Sequence, residues 1–288
     1  MTTPDRLDTP LLLGMMRLND YPELADPQGL LGFIERCVER GLTAFDHADI
    51  YGLGHCESQF GAALRLQPAL RQRLTVIGKA DIVLKPQDRS RWQVKHYDTS
   101  AAYLRRAVEG SLERLGIERL DGFLVHRPDP LMQVEDLART LEALQAEGKI
   151  GWLGLSNADP LHWRLLGEAL PLRCNQIELS LMAQDAAWDG RLQTMQAEGL
   201  QALAWSPFAG GRFPAGLQQA LANVADALGA TPNQVALAWI RRLPGAPVPI
   251  LGSLRWPRVE EALAGASLAL DTQAWFYLAE AARGVEAP

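Results

Sequence analysis

Thr43-Ala44-Phe45-Asp46-His47-Ala48-Asp49-Ile50-Tyr51-Gly52 is the stretch from which the architecture of this chain can be worked out. Its apolar entry, Ala44-Phe45, delivers a carboxylate at Asp46, and the short loop ending at Gly52 delivers a phenol at Tyr51. A buried strand whose end carries acid-base groups reads as the rim of an active site. Two later runs end in the same way. Leu74-Thr75-Val76-Ile77-Gly78 is followed by Lys79, and Asp121-Gly122-Phe123-Leu124-Val125 is followed by His126. One architecture has to account for four titratable groups at three strand ends.

Outward from these three strands the chain alternates. Leu11 to Gly14 reads as a short buried strand, followed after Pro27 by a helical pattern with Leu30, Leu31, Ile34 and Val38 on one face, stopped at Gly41. A helix from Cys56 through Phe60 and Leu64 follows the opening stretch and breaks at Pro68. The third strand is followed by a charged, irregular segment from Ala80 to Tyr97. Asp98-Thr99-Ser100 then offers capping groups for a helix with Leu104, Val108, Leu112 and Leu115 at helical spacing. After Asp121–Val125 come a helix over Val134–Ala146, a strand over Ile150–Leu155, and a helix opened by Asp159-Pro160. The runs Arg173–Leu179, Leu200–Trp205 and Val248–Leu251 complete eight strand candidates, with helical segments around Leu192 and Met195 and around Val235 and Ile240 between them.

Strict alternation implies parallel pairing with right-handed crossovers, and eight units are the number that closes a (β/α)8 TIM barrel. The expectation is one α/β domain over residues 1–288, with an extra C-terminal helix from Thr272 through Trp275, Phe276 and Leu278. A doubly wound open sheet is the rival. Against it, no GxGxxG follows the first strand and no GxxxxGK[ST] occurs.

The formal charge of -6 gives no reason to expect nucleic acid, and 48% hydrophobic content can fill a large core. Cys37, Cys56 and Cys174 lie far apart without CxxC spacing, which suggests neither a disulfide framework nor a zinc ribbon. The apolar run Leu11–Met16 is too short for a membrane span and its flanks are unlike a signal peptide. A cytoplasmic protein, a monomer or weak homo-oligomer with neither membrane nor nucleic-acid partner, is expected.

The four groups together form a proton-donating set. A tyrosine becomes a useful acid near neutrality when its phenolate is preferentially stabilised by about 4 kcal/mol. An ammonium at about 4 Å supplies that much at an effective dielectric near 20, and only about 1 kcal/mol in open water. Lys79 can therefore draw down Tyr51 only in a drained pocket. The same pocket pushes the lysine towards neutrality, which a paired Asp46 opposes. His126, as a neutral donor, can hydrogen-bond a carbonyl oxygen beside the phenol.

In these residues the chain resembles the aldo-keto reductases. The Asp-x-Ala-x-x-Tyr spacing of Asp46 to Tyr51, Lys79 ending the third strand, and His126 in Leu124-Val125-His126-Arg127-Pro128 look like that family's catalytic tetrad in order and position. Gly154-Leu155-Ser156-Asn157 and Asn175-Gln176-Ile177-Glu178 look like the segments that hold the nicotinamide carboxamide, through Ser156, Asn157 and Gln176. The stretch Trp205-Ser206-Pro207-Phe208-Ala209-Gly210-Gly211-Arg212 looks like the one that stacks an aromatic ring under the nicotinamide and wraps the pyrophosphate. Gly252, Ser253, Arg255, Arg258 and Glu261 are similar to the adenosine end, and Met16, Arg17 and Asp46 complete the implied cofactor contacts.

The resemblance implies hydride transfer from NADP(H), favoured over NAD(H) and without a metal, to a small-molecule carbonyl. Tyr51 would donate the proton. It also implies a short bacterial group of general oxidoreductases, from the Asp-His-Ala-Asp form and the His-Arg-Pro-Asp-Pro run. Two departures stand out: Trp205 where many members carry tyrosine, and Gly252 and Ala262 where a basic residue and an asparagine are often used. Ser253, Arg255 and Arg258 remain as candidate partners for a 2'-phosphate. His47, Trp92, His96 and Tyr97 are the candidate substrate contacts. A blander reading makes His47 a hydrogen-bonded neighbour and the two arginines exposed charges at a helix start.

Two other classes fit some of the residues. Asp46, His47, Asp49 and His126 could gather a divalent metal for hydrolase or lyase chemistry, which Lys79 argues against. A non-catalytic nicotinamide-binding regulatory subunit is the other, which the intact tetrad argues against.

Overall fold

The computed structural model describes residues 7–85 and 94–287. Its strands are β1 (Leu12–Gly14), β2 (Ala44–Asp46), β3 (Thr75–Ala80), β4 (Ile82–Val83), β5 (His96–Tyr97), β6 (Leu120–Val125), β7 (Ile150–Ser156), β8 (Leu172–Glu178), β9 (Gln201–Trp205) and β10 (Val248–Leu251). Eight of them pair in the cyclic order β1-β10-β9-β8-β7-β6-β3-β2, a closed barrel, and β4 pairs with β5 in a separate two-stranded sheet. This is the (β/α)8 architecture, and the cyclic order excludes the open doubly wound sheet. The helices are α1 (Pro27–Glu39), α2 (His55–Leu66), α3 (Ala101–Leu115), α4 (Val134–Ala146), α5 (Pro160–Gly167), α6 (Asp185–Trp188), α7 (Arg191–Ala197), α8 (Ala215–Leu228), α9 (Pro232–Arg241), α10 (Trp256–Ala266) and α11 (Thr272–Arg283). Among the described residues no helix is long and apolar enough to cross a membrane.

The chain divides into two compact units, one running from Gly14 to Cys174, the other made of the segment up to Leu13 and the segment from Asn175. In the first, parallel registers pair Asp46 with Ile77 and Lys79 with Leu124, so Lys79 stands two residues beyond the level of Asp46 and His126 two beyond that of Lys79, each at the carboxyl end of its strand. The strands bury Phe45, Val76, Ile77, Phe123 and Leu124. Local signals set the helix starts. Asp26 accepts from the Gly29 amide ahead of Pro27, and Ser100 accepts from the Tyr103 amide, each such cap being worth about 1 kcal/mol. Asp159 caps α5 as its Asp-Pro signature predicts.

In the second unit, β10 pairs in parallel with β1 and with β9. Thr231 and Gln234 close a capping box at the start of α9. Trp239 of α9 and Trp275 of α11 stack 4.9 Å apart, and each indole N–H donates to the other's carbonyl. That reciprocal pair fixes the expected extra C-terminal helix.

Two elements differ from the sequence reading. The segment from Ala80 to Tyr97, expected to be irregular, carries β4 and β5 at its two ends; Trp92 lies outside the described residues. Helix α8 had no counterpart there, although Leu217, Ala220, Leu221 and Val224 fall on one buried face and Gly229 closes it at φ +61°.

Helices α2 and α3 approach closely at Gly61. A Cβ there would lie 2.2 Å from the Arg114 carbonyl oxygen and 2.7 Å from that of Leu115. Gly61→Ala should therefore destabilise the protein by about 2 kcal/mol through backbone displacement. Gly32→Ala, on the exposed face of α1 with nothing within 4 Å, should be neutral or stabilising by up to about 1 kcal/mol. Urea unfolding of the two variants checks both signs.

Candidate active site

Three strand ends and one loop gather the four titratable side chains. Asp46 closes β2, Lys79 lies one residue from the end of β3, and His126 follows β6; they are 2%, 1% and 7% exposed. The His126 amide donates to the Ala80 carbonyl at 3.0 Å, which extends the β3–β6 ladder to the histidine. The chain leaves β2 along β3, with the Asp49 amide donating to the Lys79 carbonyl, and then turns into a 3-10 segment over Tyr51–Gly54. That turn runs through left-handed backbone at Gly52, Leu53 and Gly54. Gly52 is required on two grounds: its φ is +57°, and a Cβ would lie 2.4 Å from the Asn19 side-chain nitrogen.

The Lys79 ammonium donates to Asp46 Oδ1 at 2.5 Å and to the His47 carbonyl at 2.9 Å. It also lies 5.1 Å from the centre of the Tyr51 ring. The His126 imidazole meets the Tyr51 ring edge-on, with centroids 6.2 Å apart. A buried ammonium, a carboxylate, a phenol and an imidazole thus share one small volume.

Burial and charge set the protonation states. Burial pushes the Lys79 ammonium towards neutrality, but Asp46 and Tyr51 together outweigh it and hold its pKa above the ordinary value. Lys79 is a cation at every physiological pH. Burial first, and the Lys79 charge second, hold His126 well below its ordinary value, so it is a neutral imidazole. At Tyr51 burial is the largest influence; Lys79 draws the phenol down, Asp46 opposes, and the outcome lies above the ordinary value of 10.0. This corrects the expectation that Lys79 brings the phenol towards neutrality. Asp46, needed to keep the ammonium charged, also cancels part of its field at the phenol.

The other candidates are placed as follows. His47 is fully buried, its ring edge-on to Phe60 at 4.6 Å, and burial lowers its pKa to about 3. Its carbonyl serves Lys79 while its ring is turned onto α2, which corrects its expected place among substrate contacts. His96 is exposed and bonded to the Val94 carbonyl, and Tyr97 is half-buried on β5. Among the described residues no group of three or more His, Cys, Asp or Glu could hold a metal ion.

Of the residues expected to touch a cofactor, Met16 and Arg17 are exposed in the turn after β1, and Ser156 is buried with its hydroxyl accepting from Asn157 Nδ2 at 2.8 Å. In the other unit Gln176 is buried on β8, and Trp205 and Phe208 are half-buried. Ser206, Ala209, Gly210 and Gly211 all carry positive φ in the loop after β9, with Pro207 buried and Arg212 exposed. The loop's amides close the turn internally, with those of Ala209 and Gly211 donating to the Ser206 and Phe208 carbonyls at 2.9 and 2.8 Å. Gly252 is open, Ser253 half-buried and Arg255 exposed; Arg258 pairs with Glu261 at 2.8 Å, and Glu261 also accepts from Thr231 and Asn233. Asp81 was missed altogether, because a carboxylate two residues beyond a strand-end lysine carries no signal until its burial is seen.

Comparison with known proteins places the chain among relatives of one family. The model of the aldo/keto reductase family matches residues 10–283. An uncharacterized oxidoreductase of Bacillus subtilis, YcsN, is 38% identical over 96% of this chain and 94% of its own. A 6-dehydroglucose reductase of Agrobacterium fabrum is 36% identical over 96% and 95%. Among solved structures, an aldo/keto reductase of Klebsiella pneumoniae in complex with NADP and acetate superposes with a TM-score of 0.77 at 27% identity, covering 96% of this chain and 92% of that one.

Removing one member of a buried ion pair leaves the other charge stranded, at a cost of about 3–5 kcal/mol. Lys79→Met should lose about that much stability. The double variant Asp46→Asn with Lys79→Met should recover more than half of it while remaining inactive. Urea unfolding of the two single variants and the double variant measures this coupling.

Proposed function

The chain belongs to the aldo/keto reductase family, and we propose that it reduces aldehyde or ketone carbonyls to alcohols with NADPH, using Tyr51 as the proton donor. The observation that carries this reading is the Lys79–Asp46 ion pair buried against the Tyr51 ring, with the neutral His126 imidazole at the ring's edge.

The fit of a nicotinamide dinucleotide rests on the chain's own features. The loop with left-handed backbone at Ser206, Ala209, Gly210 and Gly211 ends at the exposed Arg212, whose guanidinium offers paired donors to a diphosphate. Ser156, Asn157 and Gln176 are the polar side chains assigned to the carboxamide, and Trp205 and Phe208 offer aromatic faces. Gly252, Ser253, Arg255, Arg258 and Glu261 are assigned to the adenosine end, with the exposed Arg255 and the half-committed Arg258 favouring a 2'-phosphate and hence NADPH over NADH. When bound, the cofactor supplies the hydride. That a Klebsiella pneumoniae relative was crystallised with NADP supports this assignment.

The protein's part is to hold and release a proton. His126, kept neutral, donates to the carbonyl oxygen and aligns it with the Tyr51 hydroxyl. The Tyr51 proton is firmly held until that oxygen gains negative charge, at which point transfer becomes favourable. The phenolate left behind is stabilised by Lys79, whose charge Asp46 maintains in a site too dry to keep it otherwise. The substrate is a small carbonyl compound; the 36% identical relative that acts on 6-dehydroglucose makes oxidised sugars the first class to assay.

Tyr51→Phe should bind NADPH with wild-type affinity, read by fluorescence titration, while kcat falls by a factor of about 10³ or more. Unchanged reduction in that variant would remove Tyr51 as the donor. Because the phenol's pKa lies above 10, the protonated form needed for reduction persists through neutrality. The kcat for reduction should be level from pH 6 to 9 and decline only above the ordinary tyrosine value of 10.0. A fall in kcat centred near neutrality would contradict this assignment.

A further inference from the structure

Asp81 follows the Lys79 strand and has no part in the proton transfer, yet it is the most constrained residue near the site. Its backbone φ is +126°, in a region that non-glycine residues avoid and occupy only when the surroundings impose it. Its side chain is completely buried. Oδ2 accepts from the Arg127 amide at 2.8 Å, its carbonyl accepts from the Asp98 amide at 2.8 Å, and Oδ1 has no hydrogen-bond partner among the described residues. The preceding carbonyl, that of Ala80, accepts from the His126 amide at 3.0 Å. Two consecutive amides, those of His126 and Arg127, are therefore held by two consecutive residues, Ala80 and Asp81. Without the Asp81 carboxyl the bonding of β3 to the β6 segment would end at His126.

We propose that Asp81 is a positioning residue for carbonyl reduction: its carboxyl clamps the Arg127 amide and thereby sets the direction in which the His126 imidazole meets the substrate oxygen. The inference rests on the reductase reading above and adds to it the device that aims the histidine. A backbone paid for with strain and closed by a side-chain bond fixes an imidazole more tightly than a loop leaving a strand end would.

The clamp is also coupled to pH. Besides the His126 and Arg127 backbone, the titratable groups facing Asp81 are Asp49, beyond β2, Asp129, beyond β6, and Tyr103 of α3, whose single hydroxyl hydrogen is shared between Asp49 Oδ2 at 3.2 Å and the Ile82 carbonyl at 3.1 Å. Burial first, and then Asp49 and Asp129 against the pull of the backbone amides, raise the Asp81 pKa to about 8. Below that pH the carboxyl is neutral and Oδ1 carries the proton. Above it, the carboxylate accepts more strongly from the Arg127 amide while Asp49 and Asp129 repel it, and the balance of the two shifts the turn that carries His126. The aim of His126 is then disturbed, and the effect falls on carbonyl binding while the Tyr51 proton is untouched.

The test compares wild type, Asp81→Asn and Asp81→Ala with NADPH and nitrobenzaldehyde from pH 6.5 to 9.5, alongside NADPH titration by fluorescence. Wild-type KM for the aldehyde should rise threefold or more through pH 8 with kcat level. Asp81→Asn, an isostere of the neutral acid, should keep KM within threefold of wild type at pH 6.5 and lose the rise. Asp81→Ala should raise KM tenfold or more at every pH, with the NADPH Kd within twofold of wild type. The inference is overturned by an unchanged KM in Asp81→Ala, by a parallel loss of NADPH binding, or by a bend near pH 8 that survives in Asp81→Asn. If Asp81→Ala does not fold, the Asp81→Asn profile decides alone. A wild-type protein that reduces no aldehyde with NADPH would instead sink the reductase reading, and this inference with it.

Discussion

An ammonium and a carboxylate 2.5 Å apart, both shut away from water at the ends of neighbouring strands, are the interaction on which this site depends. At that separation the attraction is roughly 7 kcal/mol at an effective dielectric near 20 and under about 2 kcal/mol in water, so burial gives the pair its strength. Burial also threatens it, because each charge loses its hydration. The arrangement survives because the Lys79 ammonium has three donors to place and finds Asp46 Oδ1, the His47 carbonyl and the neighbourhood of the Tyr51 oxygen. The parallel registers of β2 with β3 and of β3 with β6 set Asp46, Lys79 and His126 at successive two-residue steps on neighbouring strand ends, within reach of a lysine side chain, so the barrel's hydrogen bonding is what makes the pair possible.

The consequence for Tyr51 is less direct than charge proximity alone suggests. A lone ammonium would draw the phenol down, but one already matched by a carboxylate presents the phenol with a much weaker field, and the dry surroundings decide the direction. The phenol is thereby a reservoir that keeps its proton in the resting state. In the proposed reaction, Lys79 contributes stabilisation of the phenolate at the moment the proton leaves. This is a form of electrostatic preorganisation, since the dipoles and charges are in place before charge develops on the substrate.

The barrel was legible because its strands are short apolar runs that end in polar residues, and a change from Ile77 to Lys79 or from Val125 to His126 marks a strand end without any tertiary information. The gathering of Asp46, Tyr51, Lys79 and His126 followed from that reading. Other features depend on three-dimensional context. Strands β4 and β5 have two residues each, too short for alternation to register. The sequence separates His47 from Asp46 by role, but that the His47 ring lies on Phe60 while Asp46 meets Lys79 depends on the packing of α2 against the end of β2. The direction of the Tyr51 shift depends on a balance between burial and two opposed charges, which spacing along the chain does not fix. Asp81 is identified only by its φ and by the amide it accepts.

Transfer of a label from cofactor to product tests the central claim most directly. With NADPH deuterated at the transferring position of its nicotinamide and an aldehyde as acceptor, a site that holds the carbonyl beside Tyr51 should deliver the deuterium to the carbinol carbon of the alcohol, one atom per turnover, from a single face of the nicotinamide. Consumption of the cofactor with deuterium lost to water, or with an unlabelled alcohol, would contradict the account.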